Sequence, residues 1–378
     1  MARRSPPTLP PVRILLLSSY HSASHRYWCE GLMAALPGIT WTLKTQPARH
    51  FSWRVRASGW LWALGDDPGL ARTDYDLIIA TSLTGVVPLR AMCAGLRSPP
   101  LLTYFHENQF AHPHGDTQSE VHRIGWQFQS LQNAFCADWI SFNTAYNRDT
   151  FLEGAASLLR RFPERLPGDP LRRASERSGI LPVPLTEEFE SYRSSPKDPS
   201  LIVWNHRWEW DKQPKRFLAA LRRLSEDGID FRLAMMGCGG GRDNTFAGDA
   251  AALAKHIVHW GEADAATYRQ WIRKAGIGVS TAVHDFQGLS MLEVAQAGAT
   301  AVVPRRLAYP ECLPGAHFYE GSATDAAKDT ADLEASLRAL LTSDAPRKAQ
   351  SHPVPIWTKW KDQYKERIEA VAAMHRLP

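Results

Sequence analysis

The chain alternates short apolar runs with longer segments of helical character. The first run, residues 12–18, has no polar alternation, which is the pattern of a strand buried on both faces of a parallel sheet. Three similar runs follow at 76–80, 101–105 and 138–142. Helix-like segments such as 84–96 and 118–137 separate them. Since a βαβα order builds a parallel sheet covered by helices, residues 12–185 are predicted to form a Rossmann-like domain.

The same order repeats in the second half of the chain. Apolar runs typical of strands lie at 201–205, 231–236, 256–260 and 276–280. A second Rossmann-like domain is therefore expected at 201–355, after a Pro/Ser-rich linker at 186–200. Residues 356–378 are predicted to contain a C-terminal helix that crosses back to the first domain. Residues 1–11, which include four prolines, are expected to be a disordered leader.

Composition narrows the class of protein. A chain of 378 residues exceeds what one hydrophobic core usually supports, which agrees with two domains. No apolar run approaches the roughly 20 residues that span a bilayer, and the leader lacks the apolar segment of a signal peptide. We therefore expect a cytoplasmic protein without a membrane partner. Five cysteines without a CxxC pair favour a reducing compartment, and a net charge of +5 is compatible with a polyanionic partner.

Polar residues follow the first predicted strand in the stretch SSYHSASHR, residues 18–26. Ser22 or Ser24 can begin the next helix, whose free amide groups and positive dipole end suit a phosphate or an acceptor hydroxyl. A plain helix N-cap is the structural alternative. His21 and His25 are further candidates for the site.

The stretch YFHENQFAHPHG places His106, Glu107 and Asn108 directly after an apolar strand. A histidine and a carboxylate here could hydrogen bond to a sugar or act as acid and base near neutral pH. The alternative for His106 is a hydrogen-bonded core histidine. A zinc site made by His106, His112 and His114 has none of the spacings of established zinc sites, so no metal site is predicted.

Two further stretches follow strands of the second domain. In VWNHRWEWDKQP, residues 203–214, Arg207 and Lys212 could converge on a diphosphate, unless Glu209 and Asp211 neutralise them in a surface cluster. In TAVHDFQGLSMLEVAQAG, residues 281–298, Gly288 lets the backbone approach a ligand at a helix start. Asp285 and Glu293 are eight positions apart, and Glu293 lies among apolar residues, where it needs a partner such as ribose hydroxyls. The alternative is a helix-capping Asp285 and an exposed Glu293.

Together these stretches resemble retaining GT-B glycosyltransferases and, more closely, the tRNA-queuosine α-mannosyltransferase family. The motifs that carry the resemblance are HFSWRVRAS, YFHENQ, ADWISFNTAYNRDTF, WNHRWEWDKQP, VHWG, STAVHDFQGLSMLEVAQAG and YPE at 309–311. The resemblance implies an α/β GT-B fold, with two Rossmann-like domains whose parallel sheets face a central cleft. It also implies transfer of mannose from GDP-mannose to the queuosine base of a tRNA, with retention of configuration and no required cofactor.

The resemblance also implies roles for the residues that match its motifs. Arg207 and Lys212 would hold the donor diphosphate, and Glu293 would bind the ribose. Asp285 would contact sugar hydroxyls, and His106 would lie beside the reacting sugar. The amides near Gly288 and Leu289 would bind the sugar or phosphate. Trp260, at the end of a strand, would lie near the guanine. Glu107 and Asn108 would shape the pocket.

Two features depart from the family pattern. Position 285 is Asp where the usual residue is Glu, so the arm is one methylene shorter and the choice of donor sugar is open. The HPHG tetrapeptide, residues 112–115, has no counterpart in the pattern.

The acceptor is expected to contact aromatic and basic residues. In HFSWRVR, residues 50–56, Trp53 could stack on a base and Arg54 could neutralise phosphate, with aromatic core packing as the alternative for Trp53. Arginines crowd the Pro-broken segment 160–177, where a tRNA backbone contact or a solvated charge run is expected. The protein is expected to be a monomer or a weak dimer.

Departure of the nucleoside diphosphate would leave negative charge on its phosphate. Arg207, Lys212 and a helix N-terminus would stabilise that charge, which removes the need for a metal. Acceptor attack on the leaving-group face would account for retention. Three other functions stay open: transfer to a lipid, glycan or small molecule, sugar-nucleotide epimerisation, and RNA binding without catalysis.

Overall fold

The computed structural model describes residues 12–112, 120–237, 246–343 and 353–374, so the expected leader 1–11 lies outside the described residues. The chain divides into two compact units. Unit 1 comprises Met1–Pro182 and Trp357–Pro378, and unit 2 comprises Val183–Ile356. The segment 186–200, expected as a linker, belongs to unit 2 and contains a 3-10 helix at Glu187–Ser194, whose Phe189 is buried.

Unit 1 contains a six-stranded parallel sheet in the order β2-β1-β3-β4-β5-β6. Its strands are β1 (Arg13–His21), β2 (Thr40–Pro47), β3 (Leu77–Thr81), β4 (Leu101–Phe105), β5 (Trp139–Phe142) and β6 (Ser178–Ile180). Its first six α-helices are α1 (Ala23–Ala35), α2 (Phe51–Ala63), α3 (Val86–Met92), α4 (Glu120–Cys136), α5 (Ala145–Leu159) and α6 (Pro170–Glu176).

Unit 2 contains a second six-stranded parallel sheet, in the order β12-β11-β10-β7-β8-β9. Its strands are β7 (Asp198–Asn205), β8 (Arg232–Met236), β9 (Ile257–Gly261), β10 (Ala275–Val279), β11 (Thr300–Pro304) and β12 (His317–Tyr319). Its helices are α7 (Pro214–Glu226), α8 (Ala247–Ala252), α9 (Ala265–Lys274), α10 (Leu289–Gln296), α11 (Tyr309–Cys312) and α12 (Ala326–Leu341). The last helix of the chain, α13 (Trp357–Ala373), belongs to unit 1.

The central strands are covered on both faces, as their unbroken apolar runs predicted. Ile14 to Leu17 in β1 are fully buried, and all five residues of β10 and of β11 are buried. Because a parallel strand has helices on both sides, every position on it faces a hydrophobic layer. The prediction of two Rossmann-like sheets is confirmed.

The strand order locates a switch point in each sheet. In unit 1, β2 lies on one side of β1 and β3 on the other, while in unit 2, β8 and β10 lie on opposite sides of β7. The loops that leave these strands at their carboxyl ends diverge, and the crevice between them is where open α/β sheets bind ligands. The loops after β1, β7 and β10 hold three of the four candidate stretches.

Helix α13 packs against α1 in unit 1. The indole Nε1 of Trp28 donates to the Tyr364 hydroxyl at 3.1 Å, and that hydroxyl donates to the Pro182 carbonyl at 3.0 Å. A Cβ placed on Gly31 would lie 2.5 Å from the Trp357 indole, so only glycine allows α1 and α13 to approach this closely. Within the described ranges, none of the helices has the length and apolar character needed to cross a bilayer.

Unit 2 contains a carboxylate shared by two arginines. Asp329 has no exposed surface on its side chain, and its oxygens accept from Arg216 at 2.9 Å and from Arg306 at 2.8 Å. Arg306 also donates to the carbonyl of Ala282, at 3.1 Å. Asp329 therefore holds in place an arginine that supports the loop after β10.

We expect Asp329→Ala to lower the free energy of unfolding by about 3–5 kcal/mol, because two largely buried guanidinium groups lose their counter-ion. Urea unfolding followed by circular dichroism measures the change. Glu320→Ala is the matched control, because Glu320 pairs with Arg305 on the surface, where such pairs contribute at most about 1 kcal/mol. Equal losses in the two variants would contradict a structural role for the buried carboxylate.

Candidate active site

The loops after β7 and β10 are joined by hydrogen bonds at the switch point of unit 2. The hydroxyl of Thr281 donates to the carbonyls of Lys212 at 2.7 Å and Gln213 at 3.1 Å. The amide of Val283 donates to the carbonyl of Asp211 at 2.9 Å. These bonds fix the two loops against each other, so the side chains that they carry have a defined geometry.

Lys212 and Asp285 form an ion pair between these loops. The Lys212 ammonium lies 2.7 Å from the His284 carbonyl, 3.3 Å from a carboxylate oxygen of Asp285 and 3.4 Å from one of Asp211. The Lys212 and Asp285 side chains keep 13% and 17% of their surfaces exposed. The pair is thus shielded from bulk water while a small ligand can still reach it.

Burial and the charge of Lys212 set the protonation of Asp285 and His206. Burial alone would raise the pKa of Asp285, but the Lys212 ammonium, with smaller contributions from His206 and His284, lowers this pKa to about 2. Burial, and next the Lys212 charge, lower the pKa of His206 to about 4. At neutral pH the centre therefore holds an ionised carboxylate beside a neutral imidazole.

Asp285 also orders the start of α10. One carboxylate oxygen accepts from the Gly288 amide at 2.8 Å, and the other accepts from the Tyr309 hydroxyl at 3.2 Å. Gly288 has φ +75°, and a Cβ there would lie 2.7 Å from the Tyr309 ring. The backbone at Gly288, directly before Leu289, thus adopts a conformation that favours glycine, and close approach of a ligand to this backbone stays a prediction.

Glu293 has a protein partner. The hydroxyl of Tyr268, on α9, donates to a carboxylate oxygen of Glu293, and Asn205 donates to the Tyr268 hydroxyl at 2.9 Å. Burial raises the pKa of Glu293 to about 7, although the Tyr268 hydrogen bond opposes the shift. The structure thus supplies Tyr268 where the sequence analysis expected ribose hydroxyls. The exposed alternative for Glu293 is wrong, because this carboxyl is largely buried.

Arg207 and Lys212 have different surroundings. Arg207 is well exposed and pairs with Glu209 at 2.8 Å, whereas Lys212 is bound to Asp285 and Asp211. The surface-cluster alternative therefore describes Arg207 in this structure. For Lys212, the expected pairing with Asp211 is confirmed, but the two side chains are largely buried and do not lie on the surface.

Trp260, at the end of β9, packs edge to face on Trp208 at 5.1 Å. The Trp208 indole also donates to the Met236 carbonyl at 3.3 Å, at the end of β8. The two indoles thus lie together beside the loop that carries Arg207.

A second cluster lies in unit 1, where two imidazoles stack. The rings of His25 and His106 are 4.3 Å apart and inclined by 25°. Trp28 meets His106 edge to face at 4.9 Å, and Tyr104 lies 4.6 Å from the same ring. Through Trp28 and Tyr104, which both contact Tyr364, this cluster rests on α13.

Each imidazole of the stacked pair has one unused nitrogen. Within the described residues, Nδ1 of His25 and Nε2 of His106 are buried and have no hydrogen-bond partner. Burial lowers the pKa of His25 to about 4 and that of His106 well below its usual value. The two rings are therefore neutral at pH 7, and the hydrogen-bonded core alternative does not describe His106.

Asn108 is buried and holds the loop after β4. Its amide group donates to the Asn147 side chain at 2.9 Å and to the Thr150 hydroxyl at 2.9 Å, and its oxygen accepts from the amides of Phe110 and Ala111. Asn143 donates to the carbonyl of His106 at 2.9 Å. Asn108 thus shapes the loop, and its direct contact with an acceptor stays a prediction.

The remaining predicted acceptor residues lie at the carboxyl edge of the same sheet. Ser22 holds the N-cap position of α1, with its hydroxyl 3.1 Å from that of Ser24. The Glu107 carboxylate accepts from Gln109 at 3.4 Å, and Arg54 donates to Gln46 at 3.5 Å. Trp53 has 72% of its surface exposed, so the core-packing alternative is wrong for this residue.

The arginines of segment 160–177 do not form a uniform charge run. Arg177 donates to the carbonyls of Ala134 and Phe135 at the end of α4, and Arg172 pairs with Glu176 at 2.6 Å. Arg177 thus has a structural role.

Among the described residues no cluster of three or more metal-ligating side chains occurs, and His114 of the zinc alternative lies outside them.

Comparison with known proteins identifies relatives of this chain. Residues 13–185 match the family model for the tRNA-queuosine alpha-mannosyltransferase N-terminal domain. The tRNA-queuosine alpha-mannosyltransferase of Drosophila melanogaster is 26% identical over 324 residues, which cover 82% of this chain and 84% of the fly protein. The resemblance indicated by the motifs is confirmed, and the chain is a glycosyltransferase.

Solved structures confirm the GT-B fold. Sucrose-phosphate synthase of Thermosynechococcus elongatus aligns with a TM-score of 0.63 at 13% identity, covering 96% of this chain and 99% of the synthase. HepE of Anabaena, solved in complex with UDP, aligns with a TM-score of 0.58 at 13% identity, covering 95% of this chain and all of HepE.

The buried imidazole of His25 predicts a pH-dependent stability. Its folded pKa of about 4 lies below the unfolded value of 6.5, so the contribution is complete above pH 6.5 and is lost as the pH falls towards 4. We expect this loss to reach about 3 kcal/mol at pH 4, because each unit of pKa shift corresponds to about 1.4 kcal/mol.

Urea unfolding between pH 7.5 and 4 tests this expectation. His25→Phe retains a ring that can stack on His106 but does not titrate. The stability difference between the parent and this variant should therefore shrink by about 3 kcal/mol over that range. Parallel pH profiles would contradict a buried neutral imidazole at this position.

Proposed function

We propose that this glycosyltransferase moves mannose from GDP-mannose to the queuosine base of a tRNA with retention of configuration, in the cytoplasm. The main support for a nucleotide-sugar donor is the shielded Lys212–Asp285 pair beside Gly288 at the switch point of unit 2. The queuosine acceptor is inferred from the family match of residues 13–185 and from the name of the fly relative.

In this proposal unit 2 binds the donor. Lys212 contacts the diphosphate, and the exposed guanidinium of Arg207 exchanges Glu209 for a phosphate oxygen. The amide of Leu289, at the start of α10, points its dipole at the sugar or phosphate, whereas the amide of Gly288 is bound to Asp285. Trp260 lies against the guanine, and Asp285 accepts from sugar hydroxyls with its ionised carboxylate.

Glu293 and Tyr268 together form the ribose site of this proposal. The ribose hydroxyls replace the Tyr268 hydroxyl as donors to the Glu293 carboxylate. An ionised carboxylate accepts from two hydroxyls, whereas the protonated group has lost part of this capacity. Donor binding is thus coupled to the charge of Glu293.

Unit 1 binds the acceptor in the same proposal. The unused nitrogens of His25 and His106 accept or donate hydrogen bonds at the reacting hydroxyl and at the sugar. Because both rings are neutral, they add no positive charge beside a sugar that becomes positive in the transition state. Ser22, Glu107, Trp53 and Arg54 contact the remainder of the acceptor.

The proposed reaction breaks the bond between the anomeric carbon and the diphosphate oxygen. The acceptor oxygen forms the new bond to that carbon on the face that the diphosphate leaves, and its proton passes to the departing phosphate. Lys212, Arg207 and the α10 amides stabilise the negative charge of the leaving group. No metal is required for this step.

The transfer itself is tested with purified protein, GDP-mannose and queuosine-containing tRNA. After digestion to nucleosides, mass spectrometry should find queuosine heavier by one hexose. Lys212→Ala should lower the rate at least about a hundredfold, because it removes a cation from the leaving group. Lys215→Ala is the control, because Lys215 is an exposed lysine three positions after Lys212. This variant should retain the parent rate.

The outcomes of this assay separate the alternatives. Consumption of GDP-mannose without any tRNA product would favour an epimerase. Hexose transfer to queuosine from another sugar nucleotide would contradict GDP-mannose as the donor but would support queuosine as the acceptor. An inverted anomer, identified by NMR of the product, would contradict the retaining mechanism.

The pKa of Glu293, about 7, predicts that GDP binding depends on pH. The group is protonated below pH 7 and ionised above it, and the ionised form accepts from ribose. We expect Kd to rise about tenfold from pH 8 to pH 6, because one unit below its pKa about a tenth of the carboxyl is ionised. Isothermal titration calorimetry measures this change.

The phosphate of GDP also titrates near pH 6, so the variant Glu293→Gln is needed as the reference. This variant should bind GDP more weakly than the parent at pH 8. Its Kd for GDP should keep only the pH dependence that comes from the phosphate, which is shallower than that of the parent. A parent profile parallel to that of Glu293→Gln would show that this carboxyl does not contact the ribose.

A further inference from the structure

Helix α2 carries an exposed apolar surface. Nine large apolar side chains are exposed in the described part of the chain, and four of them lie on this helix and its C-cap. These four are Trp53, Trp60, Leu61 and Leu64, with 72%, 55%, 53% and 76% of their surfaces exposed. Scattered exposed apolar residues are ordinary, but their concentration on one helix indicates a binding surface.

The four side chains share one side of the helix. Positions 53, 60 and 64 are spaced by seven and four residues, which places them along one line, and Leu61 lies beside it. From Trp53 to Leu64 this line extends about 16 Å, at 1.5 Å per residue. We call the set of Trp53, Trp60, Leu61 and Leu64 the α2 stripe.

The opposite side of α2 is packed against unit 1, and this packing fixes the orientation of the α2 stripe. Val55 and Trp62 are buried in unit 1. Gly59 packs so closely on the Gly85 carbonyl that a Cβ would lie 2.1 Å from this oxygen. The helix cannot turn to bury the stripe without losing this packing.

Charge identifies the kind of partner that fits the stripe. The helix contains no acidic residue, and Arg54 and Arg56 lie on either side of the line through Trp53 and Trp60. Flat indoles with flanking cations suit a single-stranded nucleic acid, whose bases stack and whose phosphates are neutralised. Two copies of this chain paired through α2 would bring these arginines together, so the charge disfavours a second copy.

The stripe begins beside the proposed acceptor site. Phe51, at the start of α2, meets Tyr20 edge to face at 5.2 Å, and Tyr20 lies near the end of β1, which leads to Ser22 and His25. An acceptor strand whose reacting base lies at His25 can therefore continue along α2.

We propose that the α2 stripe binds the single-stranded RNA that flanks the reacting base, with one base stacked on Trp53 and another on Trp60. This inference rests on the proposed function, since it names where the acceptor RNA continues. Leu61 and Leu64 pack against the sugars and base edges of that strand, and Arg54 and Arg56 contact its phosphates.

The test uses an end-labelled RNA hairpin with a single-stranded loop that carries guanosine in place of queuosine. Fluorescence anisotropy measures its Kd for the full chain at fixed salt. Trp60→Ala should raise Kd about five- to a hundredfold, the range for loss of one base stack, and Trp60→Phe should recover most of the affinity. Met92→Ala, which removes an exposed apolar side chain of unit 1 away from α2, should leave Kd unchanged.

The same variants separate this inference from the proposed function. Binding of the hairpin needs no mannose transfer, so it is measurable even if queuosine is not the acceptor. If tRNA is modified while Trp60→Ala and Trp53→Ala leave both hairpin Kd and KM for tRNA unchanged, the stripe proposal and the acceptor contact of Trp53 are wrong, whereas mannose transfer to queuosine stands. Sedimentation that shows a dimer abolished by Leu64→Asp, with RNA affinity unchanged, would assign the stripe to a second copy.

Discussion

Lys212 and Asp285 carry opposite charges in a shielded position between two loops, and the geometry of the candidate site in unit 2 depends on this pair. Burial disfavours the ionised form of this carboxylate, and the adjacent ammonium is the largest influence that keeps it ionised. Once ionised, it accepts from the Gly288 amide and thereby orders the start of α10. Lys212 in turn donates to the His284 carbonyl, so the position of the ammonium is fixed by the backbone of the loop after β10.

The buried polar groups of unit 1 are uncharged. Instead of a charge pair, unit 1 stacks two imidazoles that remain neutral, because burial lowers the pKa of both rings. The indole of Trp28 and the phenol of Tyr104 enclose the pair, and Tyr364 on α13 holds both through hydrogen bonds. Unit 2 thus buries its polar groups as an ion pair, whereas unit 1 buries its imidazoles in the uncharged form.

Much of this arrangement could be predicted from local sequence. Apolar runs located the central strands, and the polar residues after them located Lys212, Asp285, Gly288 and His106. The contacts of Tyr268 and Tyr364 could not be predicted, because their partners lie 25 and 336 positions away and only the fold brings them together. In α2 apolar residues occur on every side, so periodicity could not tell the buried Val55 from the exposed Trp60.

The Asp at position 285 has a structural consequence of its own. Its oxygens are engaged by Gly288, Tyr309 and Lys212, all within 3.3 Å. A longer Glu arm with the same backbone would move its carboxylate beyond the Gly288 amide, and the α10 start would lose that hydrogen bond. With the shorter arm the carboxylate stays bound to the loop, so the backbone of the loop sets its position. The candidate site in unit 2 is therefore arranged around a fixed carboxylate, which Lys212 reaches from the loop after β7.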